Sequence, residues 1–196
     1  MTLAGKRIGF AITGSFCTFE QVVKPMQEFI NRGAVIHPIM SQAAYNTDTR
    51  FGTAAHWRHV FQSIADNDII HEITQAEPIG PQQLLDLVIV APCTGNSLAK
   101  LANAITDTPV IMACKSHLRN GRPVLLAIST NDGLGLNAKN LGTLLAARNI
   151  YFVPFGQDNP SGKPTSLVAD MNLLPAAAEC ALAGRQIQPV LISYTS

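Results

Sequence analysis

Ile8-Gly9-Phe10-Ala11-Ile12-Thr13-Gly14-Ser15-Phe16-Cys17-Thr18 decides the fold. Its first half is apolar and bulky, and with the residues before it predicts a strand over 6–12. Its second half is short, hydroxylated and carries a glycine, so it predicts a tight loop. Val22, Met26, Phe29 and Ile30 then recur at helical spacing over 19–31, and Gly33 stops the pattern. Pro25 lies inside that helix and predicts a kink or interruption. Thr18 and Gln21 have the spacing of a capping box, which places a helix N-terminus beside the loop.

Working outward, the same alternation repeats. Strands are predicted over 34–40, 87–91, 123–128 and 150–153, and helices over 96–104, 108–118, 138–148 and 166–183, with Pro175 adjusting the last. The stretch 47–81 is the least regular, and its helical part around 56–65 reads as an excursion over one edge of the sheet. Strand and helix in turn mean a parallel sheet with helices on both faces, and the run 87–91 is apolar throughout, as a strand covered on both sides must be. The chain reads as one domain over 1–196. Ligands of such sheets bind at the carboxyl ends of the strands, so the residues just after each strand are the ones to examine.

Composition narrows the function. Charged residues are 14% of the 196, against about 25% in an average soluble domain. With 14 basic and 13 acidic residues there is no cationic excess for a nucleic-acid backbone. No apolar run reaches the roughly 18 residues of a membrane span. The four cysteines, Cys17, Cys93, Cys114 and Cys180, are widely spaced and read as reduced cytosolic thiols.

Three strand-end loops have the residues to hold a polar ligand. Thr13, Gly14 and Ser15, followed by Phe16, offer hydroxyls and close backbone approach, which is either a phosphate cradle or a plain strand–helix turn. Ser41 follows the second strand, where it either caps a helix or lies beside the first loop. Cys93, Thr94, Gly95, Asn96 and Ser97 again set small and hydroxylated residues before a helix; Cys93 itself reads first as a small buried residue. The two glycines of the loop Ser129-Thr130-Asn131-Asp132-Gly133-Leu134-Gly135-Leu136-Asn137 mean that it comes close to a ligand or folds tightly, and Asp132-Gly133 is also a plain turn signal.

His56 and His59 share a helical face, but no third ligand is evident and no metal is expected. Arg50 and Arg58 offer guanidinium forks, or serve as solvated or intersubunit arginines. The stretch 156–164, rich in Gly and Pro and carrying Lys163, reads as a loop free to sit over a neighbouring site.

At these loops the chain resembles the flavoprotein family of phosphopantothenoylcysteine decarboxylases, lantibiotic cysteine decarboxylases and flavin prenyltransferases. The resemblance is carried by Ile8 to Ser15, by Ser41, and by Ala91-Pro92-Cys93-Thr94-Gly95-Asn96-Ser97-Leu98-Ala99-Lys100-Leu101-Ala102. It implies a three-layer α/β/α Rossmann-like (flavodoxin-like) fold that binds FMN. Thr13, Gly14, Ser15 and Ser41 are then expected at the phosphate, with Phe16 and Cys93 adjoining. Thr94, Asn96 and Ser97 are expected on the ribityl–phosphate side.

Within the family, the stretch from Leu3 to Phe19 and the Asn131–Gly135 loop resemble the flavin-binding B subunits of a two-subunit oxidoreductase. That enzyme converts dihydrodipicolinate to dipicolinate in the mother-cell cytoplasm of spore-forming bacteria. The resemblance implies a partner A subunit carrying NAD(P), a small dicarboxylate substrate met by Asn131 and Arg58, and a homo-oligomer of trimers or their multiples. Such an assembly also accounts for the low charge, since much of the exterior is buried against copies.

The departures bear on the chemistry. The family's decarboxylases carry a histidine before the strand leading into the flavin loop; here that stretch is Glu77-Pro78-Ile79-Gly80-Pro81-Gln82-Gln83. Their P-x-M-N-x-x-M-W element is reduced to Asn131, and the arginine of the prenyltransferases has no counterpart. The catalytic residue is therefore not identified. A decarboxylase of the same family, and a non-catalytic partner with a vestigial phosphate pocket, stand as alternatives.

Overall fold

The computed structural model describes residues 2–192. The chain runs β1 (Arg7–Ile12), α1 (Phe19–Asn31), β2 (Val35–Met40), α2 (Gln42–Asn46), α3 (Ala54–Ala65), α4 (Ile73–Ala76), β3 (Leu87–Cys93), α5 (Gly95–Ala102), α6 (Pro109–Arg119), β4 (Val124–Thr130), α7 (Ala138–Leu145), β5 (Ile150–Phe152), β6 (Phe155–Gly156), β7 (Leu167–Ala169) and α8 (Leu174–Leu182). Short 3₁₀ turns at Phe16–Thr18, Glu77–Ile79 and Met171–Leu173 lead into or out of helices.

Strands β1 to β5 pair in parallel in the order 2-1-3-4-5. Every residue of β3 is buried, and only Thr130 of β4 is not, so apolar runs here mean cover on both faces. The strand order reverses between β1 and β3. Their outgoing connections diverge at that point and leave a crevice at the carboxyl ends, where doubly wound sheets bind ligands.

Four expectations are corrected. The sheet is mixed: β7 adds antiparallel to the carboxyl half of β4, with Ser129 opposite Val168 and Thr130 opposite Leu167, and β6 adds antiparallel to β7. The expected helix over 166–183 is in fact β7, a turn, and the shorter α8. Asp170 accepts from the Asn172 N–H and breaks the run there, and Pro175 sits in the first turn of α8, where its missing N–H costs nothing. Pro25 does not interrupt α1, which continues through all 13 residues; the carbonyl it orphans belongs to exposed Gln21, where water reaches it. Thr18 makes no capping bond, because its hydroxyl is engaged elsewhere.

The segment 47–81 covers the β2 edge. Thr53 caps α3 by accepting from His56 N, and Trp57 and Phe61 pack edge-on against Phe19. Asn67 Nδ2 donates to the Ile36 carbonyl, while Met40 N and Ile70 N bond across the edge to Ile70 O and Pro38 O. On the far side of the sheet His117 of α6 is 1% exposed and its Nε2 has no partner, so burial pushes its pKa down to about 4.

Candidate functional site

The crevice is a cleft of about 830 Å³, a size typical of cofactor sites. Three strand ends build it. Gly14 to Thr18 come from the β1 end, Thr94 to Asn96 from the β3 end, and Ser129 to Asp132 from the β4 end; Asn137, Asp158, Lys163 and Phe51 close its rim.

Thr13 joins the first two loops. It is 1% exposed, its hydroxyl donates to Pro92 O at 2.7 Å, and it accepts from Thr94 N at 3.0 Å. Thr13 therefore acts from behind the cleft surface and holds the two loops in register. Thr94 caps α5 by accepting from Ser97 N at 3.3 Å, and Ser97 turns inward to Thr94 Oγ1 at 3.1 Å. The N–H groups of Gly95 and Asn96 stand in the first turn of α5, where a helix has no internal acceptors, and they face the cleft with the positive end of the dipole.

Three hydroxyls form the opposite wall. Ser129 Oγ lies 2.7 Å from Ser15 Oγ and 2.8 Å from Thr18 Oγ1, and Ser15 and Thr18 are 3.1 Å apart. Each hydroxyl can rotate, so the triangle is self-satisfied and can still turn its protons to an anion.

Asp132 stands between the two walls. The Thr130 hydroxyl donates to its Oδ1 at 2.6 Å and Asn137 Nδ2 to its Oδ2 at 2.7 Å. Behind Asn137 the chain of amides continues: Asn140 Nδ2 donates to Asn137 Oδ1 at 2.8 Å, and Asn103 Nδ2 to Asn140 Oδ1 at 3.1 Å. Asn137 and Asn140 are buried, so each amide is held by its neighbours rather than by water. All of this rests on Gly95. A Cβ there would lie 2.5 Å from Thr130 Oγ1, 2.6 Å from Asn137 Nδ2 and 2.7 Å from Asp132 Oδ1.

Of the residues singled out in the sequence, Gly14, Ser15, Phe16, Thr94, Asn96 and Asn131 line the cleft. Thr13, Ser97 and Cys93 lie behind it, and burial pushes the Cys93 thiol up to about 12. Ser41 caps α2 by accepting from Ala44 N at 3.3 Å, with its own N–H on Ile12 O; it ties β2 to β1. Arg58 points away from the cleft: its guanidinium covers the Tyr45 ring at 4.7 Å and donates to the Tyr45 carbonyl. His56 and His59 are both exposed on α3. Thr18, Ser129, Thr130, Asp132 and Asn137 also line the cleft; the last four belong to the loop expected either to come close to a ligand or to fold tightly, and none of the five was singled out as a ligand contact. Their signal was the rule already applied to the other loops: the Ser129–Asn137 loop also begins at a parallel strand's carboxyl end.

These features, a 2-1-3-4-5 sheet with small and hydroxylated loops at its switch point, define a doubly wound α/β protein with a polar cleft where such sheets bind ligands. Residues 1–172 match the family model "Flavoprotein", and the chain belongs to that family. It is 50% identical over 191 residues to the dipicolinate synthase B subunit of Bacillus subtilis, covering 97% of this chain and 96% of that one. The crystal structure of the dipicolinate synthase B subunit from Bacillus halodurans superposes with a TM-score of 0.91 at 49% identity, covering all of both chains. The FMN-dependent cysteine decarboxylase SpaF shares the fold, with a TM-score of 0.68 at 16% identity over 93% of this chain and 99% of that one. The chain is thus a homologue of the dipicolinate synthase B subunit within a family that includes enzymes. No helix among the described residues is long and apolar enough to cross a membrane.

Proposed function

We propose that this chain binds FMN and is the B subunit of a dipicolinate synthase, working beside an A subunit that carries NAD(P). The pair oxidises dihydrodipicolinate to dipicolinate in the mother-cell cytoplasm during sporulation. The observation that carries this reading is the cradle itself. Hydroxyl donors from the β1 and β4 ends and the start of α5 border one cleft, and Gly95 lets the start of α5 approach Thr130, Asp132 and Asn137 closely.

The residues fit the cofactor. Ser15, Thr18 and Ser129 supply rotatable hydroxyls, and the Gly95 and Asn96 N–H groups supply fixed donors at a helix start, the set that a phosphate and a ribityl chain require. Thr13, Ser41, Cys93 and Ser97 hold those groups in place from behind. Phe16, Phe51 and Val168 give the cleft apolar surface for a flat ring. Bound there, FMN would supply hydride chemistry, and the protein's part is orientation and electrostatics. Asn131 faces the substrate side. Arg58 covers Tyr45 in this chain and does not border the cleft, so the substrate reading rests on Asn131.

Copies of the chain associate through the loop that borders the cleft, where Leu134 is 51% and Leu136 is 84% exposed. A trimer, or an assembly of trimers, buries both.

The visible spectrum of purified protein, titrated with FMN, tests the cofactor. Binding at micromolar flavin with a shifted absorbance band is expected, and no binding at that concentration refutes the reading. Co-purification with the A subunit tests the partnership.

A further inference from the structure

The hydroxyl cradle does not explain the charges at the cleft rim. Among the described residues that line it, Asp132 and Asp158 are acidic and Lys163 is the sole cation. Asp132 is committed to Thr130 and Asn137. Lys163 is held more loosely: its Nζ meets Asp158 Oδ2 at 3.3 Å, and the two side chains are 60% and 31% exposed. An ion pair that exposed is worth little, so its partner can be exchanged.

The turn that carries Lys163 is nonetheless anchored. Thr165 Oγ1 donates to Asn131 O at 2.7 Å, Leu134 N donates to Thr165 O at 3.0 Å, and Gln157 Nε2 donates to Pro164 O at 2.8 Å. Within the turn, Lys163 N donates to Asn159 O at 2.7 Å. Thr165 thus fixes the base of the Lys163 stem against the backbone of Asn131, a residue that lines the same cleft. A compact ammonium on a flexible stem, rising from a fixed base, suits a carboxylate that arrives and leaves.

We propose that Lys163 binds a carboxylate of the substrate, with the Asn131 side chain beside it, and that Asp158 holds the ammonium over the cleft until that anion displaces it. The proposal rests on the reading above that the substrate is a dicarboxylate. Burial pushes the Asp158 carboxyl up, but hydrogen bonds from Ser166 and Lys163 and the Lys163 charge outweigh it, and the carboxyl ends below its ordinary value. Asp158 therefore stays charged at neutral pH and competes. A neutral molecule gains nothing by displacing it, whereas a dianion does, so the pair selects for anionic ligands.

Calorimetric titration with dipicolinate, with and without FMN present, tests this on wild type, Lys163→Met, Lys163→Arg and Asp158→Asn, beside separate FMN titrations of each. Lys163→Met is expected to weaken dipicolinate about tenfold, the scale of one charge-assisted hydrogen bond, and to leave FMN affinity unchanged. Lys163→Arg keeps most of the dipicolinate affinity, and Asp158→Asn raises it. Equal dipicolinate affinity in Lys163→Met and wild type overturns the proposal. So does a wild type that takes FMN but no dipicolinate, a Lys163→Met protein that loses both ligands equally, or an Asp158→Asn protein that binds dipicolinate more weakly. A wild type that takes dipicolinate through Lys163 but no FMN refutes the cofactor reading alone.

Discussion

Gly95→Ala adds one methyl group at the point where the two walls of the cleft meet. The new Cβ would lie 2.5–2.7 Å from polar atoms of Thr130, Asn137 and Asp132. Those atoms cannot retreat one at a time. Thr130 and Asn137 both hold Asp132, Asn140 holds Asn137, and Asn103 holds Asn140. Overpacking of this kind costs about 1–3 kcal/mol, and the gain in helix propensity on replacing glycine returns about 1 kcal/mol at most. A net loss of up to about 2 kcal/mol remains, which lowers Tm by up to about 8 °C in a chain of this length. The larger effect is on binding, because the methyl pushes the Ser129–Asp132 loop away from the start of α5. FMN affinity, followed by quenching of flavin fluorescence, is expected to fall at least about tenfold, or about 1.4 kcal/mol. A Gly95→Ala protein with Tm within about 1 °C of wild type and unchanged flavin affinity would refute the cradle.

The remaining predictions follow from other parts of the molecule. Ser15→Asp puts a carboxylate into the hydroxyl triangle and is expected to abolish FMN binding while leaving the far-ultraviolet circular dichroism intact; retained binding contradicts a phosphate site there. His117 has its folded pKa lowered from 6.5 to about 4, so its contribution is complete above pH 6.5 and is lost as pH falls towards 4. At about 1.4 kcal/mol per pKa unit that loss approaches about 3 kcal/mol, and urea unfolding of His117→Gln should show a shallower acid limb than wild type. Cys93 and Cys114 are buried with thiols pushed up, whereas Cys17 is exposed, so iodoacetamide at pH 8 should label Cys17 and spare both until the protein is unfolded, as read by mass spectrometry. Leu136→Asp should lower the mass measured by light scattering, and a wild-type monomer would dispose of the self-association surface altogether.

β3 and β4 were legible because each is an apolar run buried on both faces, a pattern that needs no knowledge of neighbours. β6 and β7 were not, since two and three residues are too few to show alternation. Leu167, Val168, Ala169, Met171, Leu173 and Leu174 fit a helix as well as a strand, and Asp170, by capping the next turn, decides against one long helix. In the site, the loops of β1 and β3 were legible because a parallel sheet aims every strand end to one side. Ser129 was missed because its partner Ser15 lies 114 residues away, and no local spacing encodes that pair. Arg58 was hard to place for a related reason: the sequence shows a guanidinium on a helix but not that Tyr45 sits beneath it.

The hydroxyl triangle also has a meaning for folding. Its members come from the ends of the first and fourth strands, so it exists only once β1, β3 and β4 have closed in register. Such contacts are late ones, because the loop-closure entropy must be overcome before they form. A ligand held there recognises the finished sheet and no earlier state. At a hundredfold excess over its Kd it would add about 2.7 kcal/mol against global unfolding, yet nothing against local fraying of α2. Occupancy of the cleft is then a readout of completed folding, available to any partner that docks only on the loaded form.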